Sequence, residues 1–157
     1  MSINKRAQQV QDALRARGVE ATVVELPGAT RTAEDAARTL GCHVEQIVKS
    51  LVFRRAETGG SVLVLASGKN RVDEKKVARF LGEPLVKADA DYVKRVTGYA
   101  IGGVPPLGHR SPSTVLVDQD LLEVGEAWAA AGTPNAVFKL PGLITDLLED
   151  HVVISVT

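Results

Sequence analysis

Two periodicities alternate along the chain. Ala7, Val10, Ala13 and Leu14 recur at helical spacing and predict a helix over residues 5–17, capped by Ser2 or Asn4 and ended by Gly18. Residues 19–26 alternate and are rich in β-branched side chains, which predicts a strand that Pro27-Gly28 breaks. Thr32 with Asp35 opens a short helix over 33–40, stopped by Gly41. Residues 47–55 and 61–66 read as strong strands, and the connection 56–60, ending in Gly59-Gly60, makes them a hairpin. Asp73 caps a helix that runs to Leu81 and closes at Gly82, and Asp89 or Asp91 begins another reaching Val96. Residues 98–112 hold four glycines and three prolines, too many for a regular element. Beyond them, strands are expected at 114–118, 127–131, 136–140 and 152–156, with a helix over 142–148. The second and third of these flank the turn Gly132-Thr133-Pro134-Asn135.

Strands and helices are interspersed and hairpins are present, so the expected class is α+β with a mixed sheet and helices packed around it. No repeat, low-complexity tract or long linker divides the chain, and 157 residues suit one domain spanning 1–157. Only six residues are aromatic, so the core must be built from Val, Leu, Ile and Ala. Nineteen basic and nineteen acidic residues cancel, which argues against a protein that grips a long nucleic-acid duplex by its phosphates. Any RNA contact should be local. Cys42 stands alone and forms no internal disulfide; with His43, His109 and His151 scattered, no metal-ligand spacing exists. No metal and no cofactor are expected. The first residues run into a polar helix without an apolar leader, and no run nears the roughly 20 apolar residues of a membrane span. A cytoplasmic protein without a membrane partner is the expectation.

Candidate chemistry concentrates in two places. The segment Gly98-Tyr99-Ala100-Ile101-Gly102-Gly103-Val104-Pro105-Pro106-Leu107-Gly108-His109 combines glycines, which let backbone approach a ligand, with prolines that stiffen the chain by fixing φ. Such a loop can aim bare amides at an anion or oxyanion, or it can be a long surface turn. The glycine spacing from Gly103 to Gly108 imitates a phosphate-binding P-loop, but His109-Arg110 stands where Lys and Ser or Thr belong. Pro105 and Pro106 also lack the amides such a loop uses. It is not an ATP site. Lys49 opens the apolar run Lys49-Ser50-Leu51-Val52-Phe53, and is either a solvated edge residue or a cation directed into a cleft. Ser50 is a candidate hydrogen-bond donor beside it. No Ser/His/Asp arrangement and no Gly-x-Ser-x-Gly elbow support a serine hydrolase. Thr133 and Asn135 either make a hairpin turn or present polar groups to a substrate, and His109 is a base, an RNA contact or a satisfied loop residue.

Five fragments taken together resemble the YbaK/ProX family of aminoacyl-tRNA deacylases, related to the editing domain inserted in bacterial prolyl-tRNA synthetases. They are Arg31-Thr32-Ala33-Glu34-Asp35-Ala36-Ala37, Gln46-Ile47-Val48-Lys49-Ser50-Leu51-Val52-Phe53, Asn70-Arg71-Val72-Asp73, the glycine–proline segment 98–109, and Ala131-Gly132-Thr133-Pro134-Asn135. Each is weak alone; their order and spacing cover nearly the whole chain.

The resemblance implies a mixed, mostly antiparallel sheet in which Lys49 contacts the substrate end of a mischarged tRNA. The family's Gly-x-x-x-Pro loop corresponds to Gly102 through Pro106, so Gly102 and Gly103 would supply amides around the scissile ester. Ser50, Val104, Pro106, His109, Gly132, Thr133 and Asn135 would line the substrate site, with Thr133 and Asn135 shaping the amino-acid pocket. Catalysis would be substrate-assisted, a ribose hydroxyl of the terminal adenosine helping to position or activate water, which suits a chain with no obvious general base. The expected partners are the acceptor end of mischarged aminoacyl-tRNA and a prolyl-tRNA synthetase. Members that act on cysteine carry a Ser-Gly-Gly-like turn near the last strands where this chain has Ala131-Gly132-Thr133, which leaves alanine, cysteine and small non-protein amino acids open. A non-catalytic module that holds aminoacyl-tRNA or a synthetase is the competing class, and a small-molecule ester hydrolase a third.

Overall fold

The computed structural model describes residues 3–27 and 32–157. Helix α1 (Lys5–Ala16) starts where the Asn4 side chain accepts from the Arg6 amide at 2.7 Å. Ser2, the other cap expected from sequence, and Gly28 lie outside the described residues, as does Arg31. Ala7, Val10 and Leu14 on α1 are fully buried, each larger side chain contributing roughly 1.5–3 kcal/mol of burial. The strand expected over 19–26 is shorter: β1 is Val23–Glu25. Val19 N–H turns back to Leu14 O at 2.9 Å, and the Gln11 side chain takes Ala21 O and Val23 N–H, both at 2.9 Å. Those groups are therefore satisfied by α1 instead of by a ladder.

Helix α2 (Ala33–Leu40) is capped by Thr32 and stopped by Gly41 in the left-handed region. Strands β2 (Ile47–Arg55) and β3 (Ser61–Ser67) form the expected hairpin. Helix α3 (Glu74–Leu81) begins at Asp73, and β4 (Leu85–Lys87) comes after it. β4 was not foreseen, because three residues after Pro84 carry no readable alternation. Helix α4 (Ala90–Thr97) is capped by Asp89, not Asp91, through Tyr92 N–H at 2.8 Å. After the irregular segment come β5 (Thr114–Asp118), β6 (Trp128–Ala130), β7 (Ala136–Lys139) and β8 (Val152–Ile154). The helix expected over 142–148 is only a 3₁₀ turn, Ile144–Leu147, whose backbone bonds reach three residues back. β8 ends early because Val156 O accepts from Asp73 N–H at the start of α3.

The described strands form one sheet in the order β1-β7-β6-β2-β3-β5-β8, with β4 also on β2. Pairings β1/β7, β7/β6, β2/β3 and β2/β4 are antiparallel; β6/β2, β3/β5 and β5/β8 are parallel. The fold is thus α+β with a mixed, mostly antiparallel sheet. One face, carrying Val48, Leu63, Leu65, Val117 and Phe138, packs on α1 and α4. The other, carrying Phe53, Val62, Val64 and Leu116, packs on Val77 of α3.

Candidate active site

The two short strands on the far edge of β2 do not meet. β6 pairs only with Ile47 and Val48, and β4 only with Phe53–Arg55. Between them, Lys49, Ser50, Leu51 and Val52 stay half-buried although they belong to an inner strand. A cleft opens at this interruption and divides into two lobes that share Lys49, Ser50, Leu51, Ile101, Gly102 and Val104. One lobe, about 270 Å³, carries Arg71, Lys87 and Glu74. The other, about 430 Å³, is mainly apolar, with Ala33, Ala36, Ile47, Trp128, Pro134 and Val137, and Glu34 as its carboxylate.

Lys49 stands at the junction. Its ammonium donates to the Asn70 carbonyl. Asn70 is itself fixed, its amide donating to Asp118 at 2.7 Å and Asp120 at 2.8 Å. Asp118 is 1% exposed and also accepts from the Ser67 and Asp120 amides. Burial pushes the Lys49 ammonium below the ordinary lysine value, while the charges of Glu34 and Asp118 oppose the shift. Of the two readings open from sequence, the position of Lys49 in the lining of both lobes agrees with the cleft-directed one.

The glycine–proline segment forms the other wall. Gly102 adopts φ +91°, a conformation that favours glycine, and Ile101 beside it is 56% exposed at the rim. The amide of Gly103 is already used, donating to Ala100 O at 3.0 Å. Of the two glycines expected to supply amides, Gly102 is the one whose N–H no hydrogen bond among the described residues occupies, and the same holds for Ile101 and Val104. Pro105 and Pro106 have none. Gly103 instead serves packing: its carbonyl accepts from Gly132 N–H at 2.8 Å, and an added β-carbon would lie 2.8 Å from the Thr133 backbone.

The turn at 132–135 is a buttress. Thr133 Oγ1 donates to Asn135 at 2.9 Å and accepts from Ala136 N–H at 3.1 Å, and Asn135 donates to Leu26 O at 3.2 Å. These side chains are spent within the turn, and Pro134 is the member that faces the apolar lobe. Gly132, Thr133 and Asn135 therefore do not line the cleft, contrary to expectation. Pro106 and His109 lie elsewhere too, on a separate depression with Arg17, Arg110, Glu149 and Asp150. There His109 Nε2–H donates to Pro105 O at 2.6 Å, and burial pushes its pKa below the usual histidine value. His109 braces the loop from behind.

Glu34, Asn70 and Arg71 belong to the fragments that carry the resemblance, yet nothing in the sequence gave them a task. Lys87 was missed together with β4. Cys42 is half-exposed at the end of α2. Among the described residues no group of His, Cys, Asp and Glu is arranged to hold a metal ion, and no helix is long and apolar enough to cross a membrane. The cleft combines a half-buried cation, free amides on a stiff loop and an apolar recess. That set can hold a polar ester and stabilise negative charge on its carbonyl oxygen.

Residues 28–147 match the family model of the aminoacyl-tRNA editing domain. The chain belongs to this family. The editing domain is 32% identical over 121 residues to the Bacillus subtilis protein YwhH, covering 77% of this chain and 76% of that one. It is 38% identical over 106 residues to the proline–tRNA ligase of Limosilactobacillus fermentum, which covers 65% of this chain but 18% of the ligase. It thus spans less than a fifth of that ligase. A solved structure provisionally described as a trans-editing enzyme for prolyl-tRNA synthetase superposes with a TM-score of 0.91 at 46% identity, covering 99% of both chains. The resemblance read from the five fragments and the fold it implied both hold.

Proposed function

We propose that this editing domain is a cytoplasmic trans-editing deacylase that hydrolyses the ester of a mischarged aminoacyl-tRNA, a small amino acid such as alanine or cysteine on the proline tRNA. The observation that carries the reading is Lys49, held by the Asn70 carbonyl at the junction of a basic and an apolar lobe that Gly102 and Val104 also line. In this reading the single domain spans 1–157. Arg71, Lys87 and Lys49 hold the terminal nucleotide, and the apolar lobe takes the amino-acid side chain. Water adds to the ester carbonyl, the oxyanion is met by the loop amides, and the acyl–oxygen bond breaks to return free amino acid and the ribose hydroxyl. The neighbouring ribose hydroxyl relays the water proton, accepting it while passing its own to the leaving ribose oxygen, and an already activated ester needs little beyond positioning and charge stabilisation. Editing is required because one methylene discriminates by only about 1–3 kcal/mol in a synthetase pocket. A prolyl-tRNA synthetase would supply the tRNA.

The test is deacylation of alanyl-, cysteinyl- and 2-aminobutyryl-tRNA by wild type and Lys49→Ala. Wild type is expected to cleave at least one of the three, and the variant to lose roughly 10–10²-fold in kcat/KM, the worth of one charge-assisted hydrogen bond to the terminal nucleotide. Equal rates for the two proteins remove Lys49 from the mechanism. Binding without turnover by wild type would make the protein a carrier of aminoacyl-tRNA instead.

A further inference from the structure

Half of one edge of β2 has no neighbour. Arg55 N–H donates to Gly60 O at 2.8 Å and Gly68 N–H to Ile47 O at 2.7 Å, which sets the phase of the β2–β3 ladder. The peptide groups of Ile47, Lys49, Leu51, Phe53 and Arg55 face β3, and those of Val48, Ser50, Val52 and Arg54 face the opposite edge. On that edge the β6 ladder ends at Val48 and the β4 ladder begins at Phe53. The N–H and C=O of Ser50 therefore meet no strand, and among the described residues no loop or side chain reaches them. The Ser50 hydroxyl is also buried without a hydrogen-bond partner, and Ser50 lines both lobes. A buried hydroxyl is rarely left so, and with two unpaired backbone groups beside it at the centre of a cleft it marks a place for a ligand's polar atoms.

We propose that Ser50 binds the aminoacyl group itself, as a one-residue addition to the sheet: the α-ammonium donates to Ser50 C=O while the ester carbonyl accepts from Ser50 N–H. An aminoacyl ester carries an N–H donor and a C=O acceptor on either side of one α-carbon, the same pair that a strand residue offers its antiparallel neighbour. Recognition of this kind ignores the side chain, so it admits any α-amino acid and leaves selection by size to the apolar lobe. The Ser50 hydroxyl gives the ammonium a second acceptor. The Ser50 amide meets the scissile carbonyl alongside the Gly102 loop and adds a donor that strengthens as the oxygen becomes negative. The inference rests on the deacylase reading.

Three probes decide it, titrated into the ¹⁵N-labelled protein: 3′-alanylamino-3′-deoxyadenosine, whose amide replaces the labile ester, its propionyl counterpart without the α-amino group, and 3′-amino-3′-deoxyadenosine. The alanyl probe is expected to bind at least about tenfold more tightly than the propionyl probe, the worth of one charge-assisted hydrogen bond. The Ser50 amide signal should shift and its hydrogen exchange slow, while the exchange of Leu51 N–H, bonded to β3, stays unchanged. Equal affinity of the alanyl and propionyl probes with an unmoved Ser50 signal overturns the proposal, and the deacylase reading survives if alanyl-tRNA is still cleaved. Failure of all three probes to bind, together with no cleavage of any mischarged tRNA, overturns both.

Discussion

A β-carbon at Gly103 would stand 2.8 Å from the nitrogen and α-carbon of Thr133, and backbone rather than a flexible side chain would have to yield. Gly103→Ala is therefore expected to lower stability by about 1–3 kcal/mol, as overpacking does, measured by urea denaturation. The displaced loop should cost activity as well, in the deacylation assay. Sequence presented Gly102 and Gly103 as an equivalent pair. Only the fold separates them, one open to the cleft with a positive φ and the other pressed against a turn nearly thirty residues away. Thr133 and Asn135 show the same limit. Their polarity was legible, but which way it pointed depended on hydrogen bonds within the turn. Lys49 was the opposite case, since a lysine heading an apolar strand is conspicuous whichever way it faces.

At the level of elements, the helices were the most readable, because Asn4, Thr32, Asp73 and Asp89 each cap one through a hydrogen bond of their own side chain. β4 and the 3₁₀ turn at Ile144–Leu147 were not, being too short to show a period. The glycine–proline loop was legible as irregular, but its brace was not. His109 Nε2–H holds Pro105 O in a depression shared with Arg17, Arg110, Glu149 and Asp150, where burial lowers the imidazole pKa. The folded state thus resists a proton that the unfolded chain accepts near the ordinary value of about 6.5. The contribution is complete above that value and is lost as pH falls through it toward the lower folded value. Melting temperature should drop between pH 7.5 and pH 5.5, and the drop should be smaller in His109→Gln, which keeps an amide donor without a titrating ring. Equal drops would mean that His109 is not the group responsible.

For the molecule as a whole, nineteen basic and nineteen acidic residues cancel, so there is no net positive charge to draw in the body of a tRNA. In the proposed function, contact with phosphates would fall to Lys49, Arg71 and Lys87, which share one lobe. At about 0.7 counter-ions released per neutralised phosphate of a single strand, log affinity against log salt should slope no more steeply than about −2. Fluorescence anisotropy with a labelled acceptor-stem minihelix across a salt series checks this; a much steeper slope would reveal a basic surface outside the cleft. Strand order was beyond the sequence, because the parallel pairing of β6 with β2 joins residues some eighty positions apart and obeys no local signal. The interruption on β2 depends wholly on that pairing. It also acts as a ruler: four residues at about 3.3 Å each leave an aperture of roughly 13 Å. In the proposed deacylase, such an opening would pass one nucleotide with its attached ester and turn away a paired stem. The length of the unpaired overhang, more than the sequence of the helix behind it, would then decide which RNA ends this domain can clear.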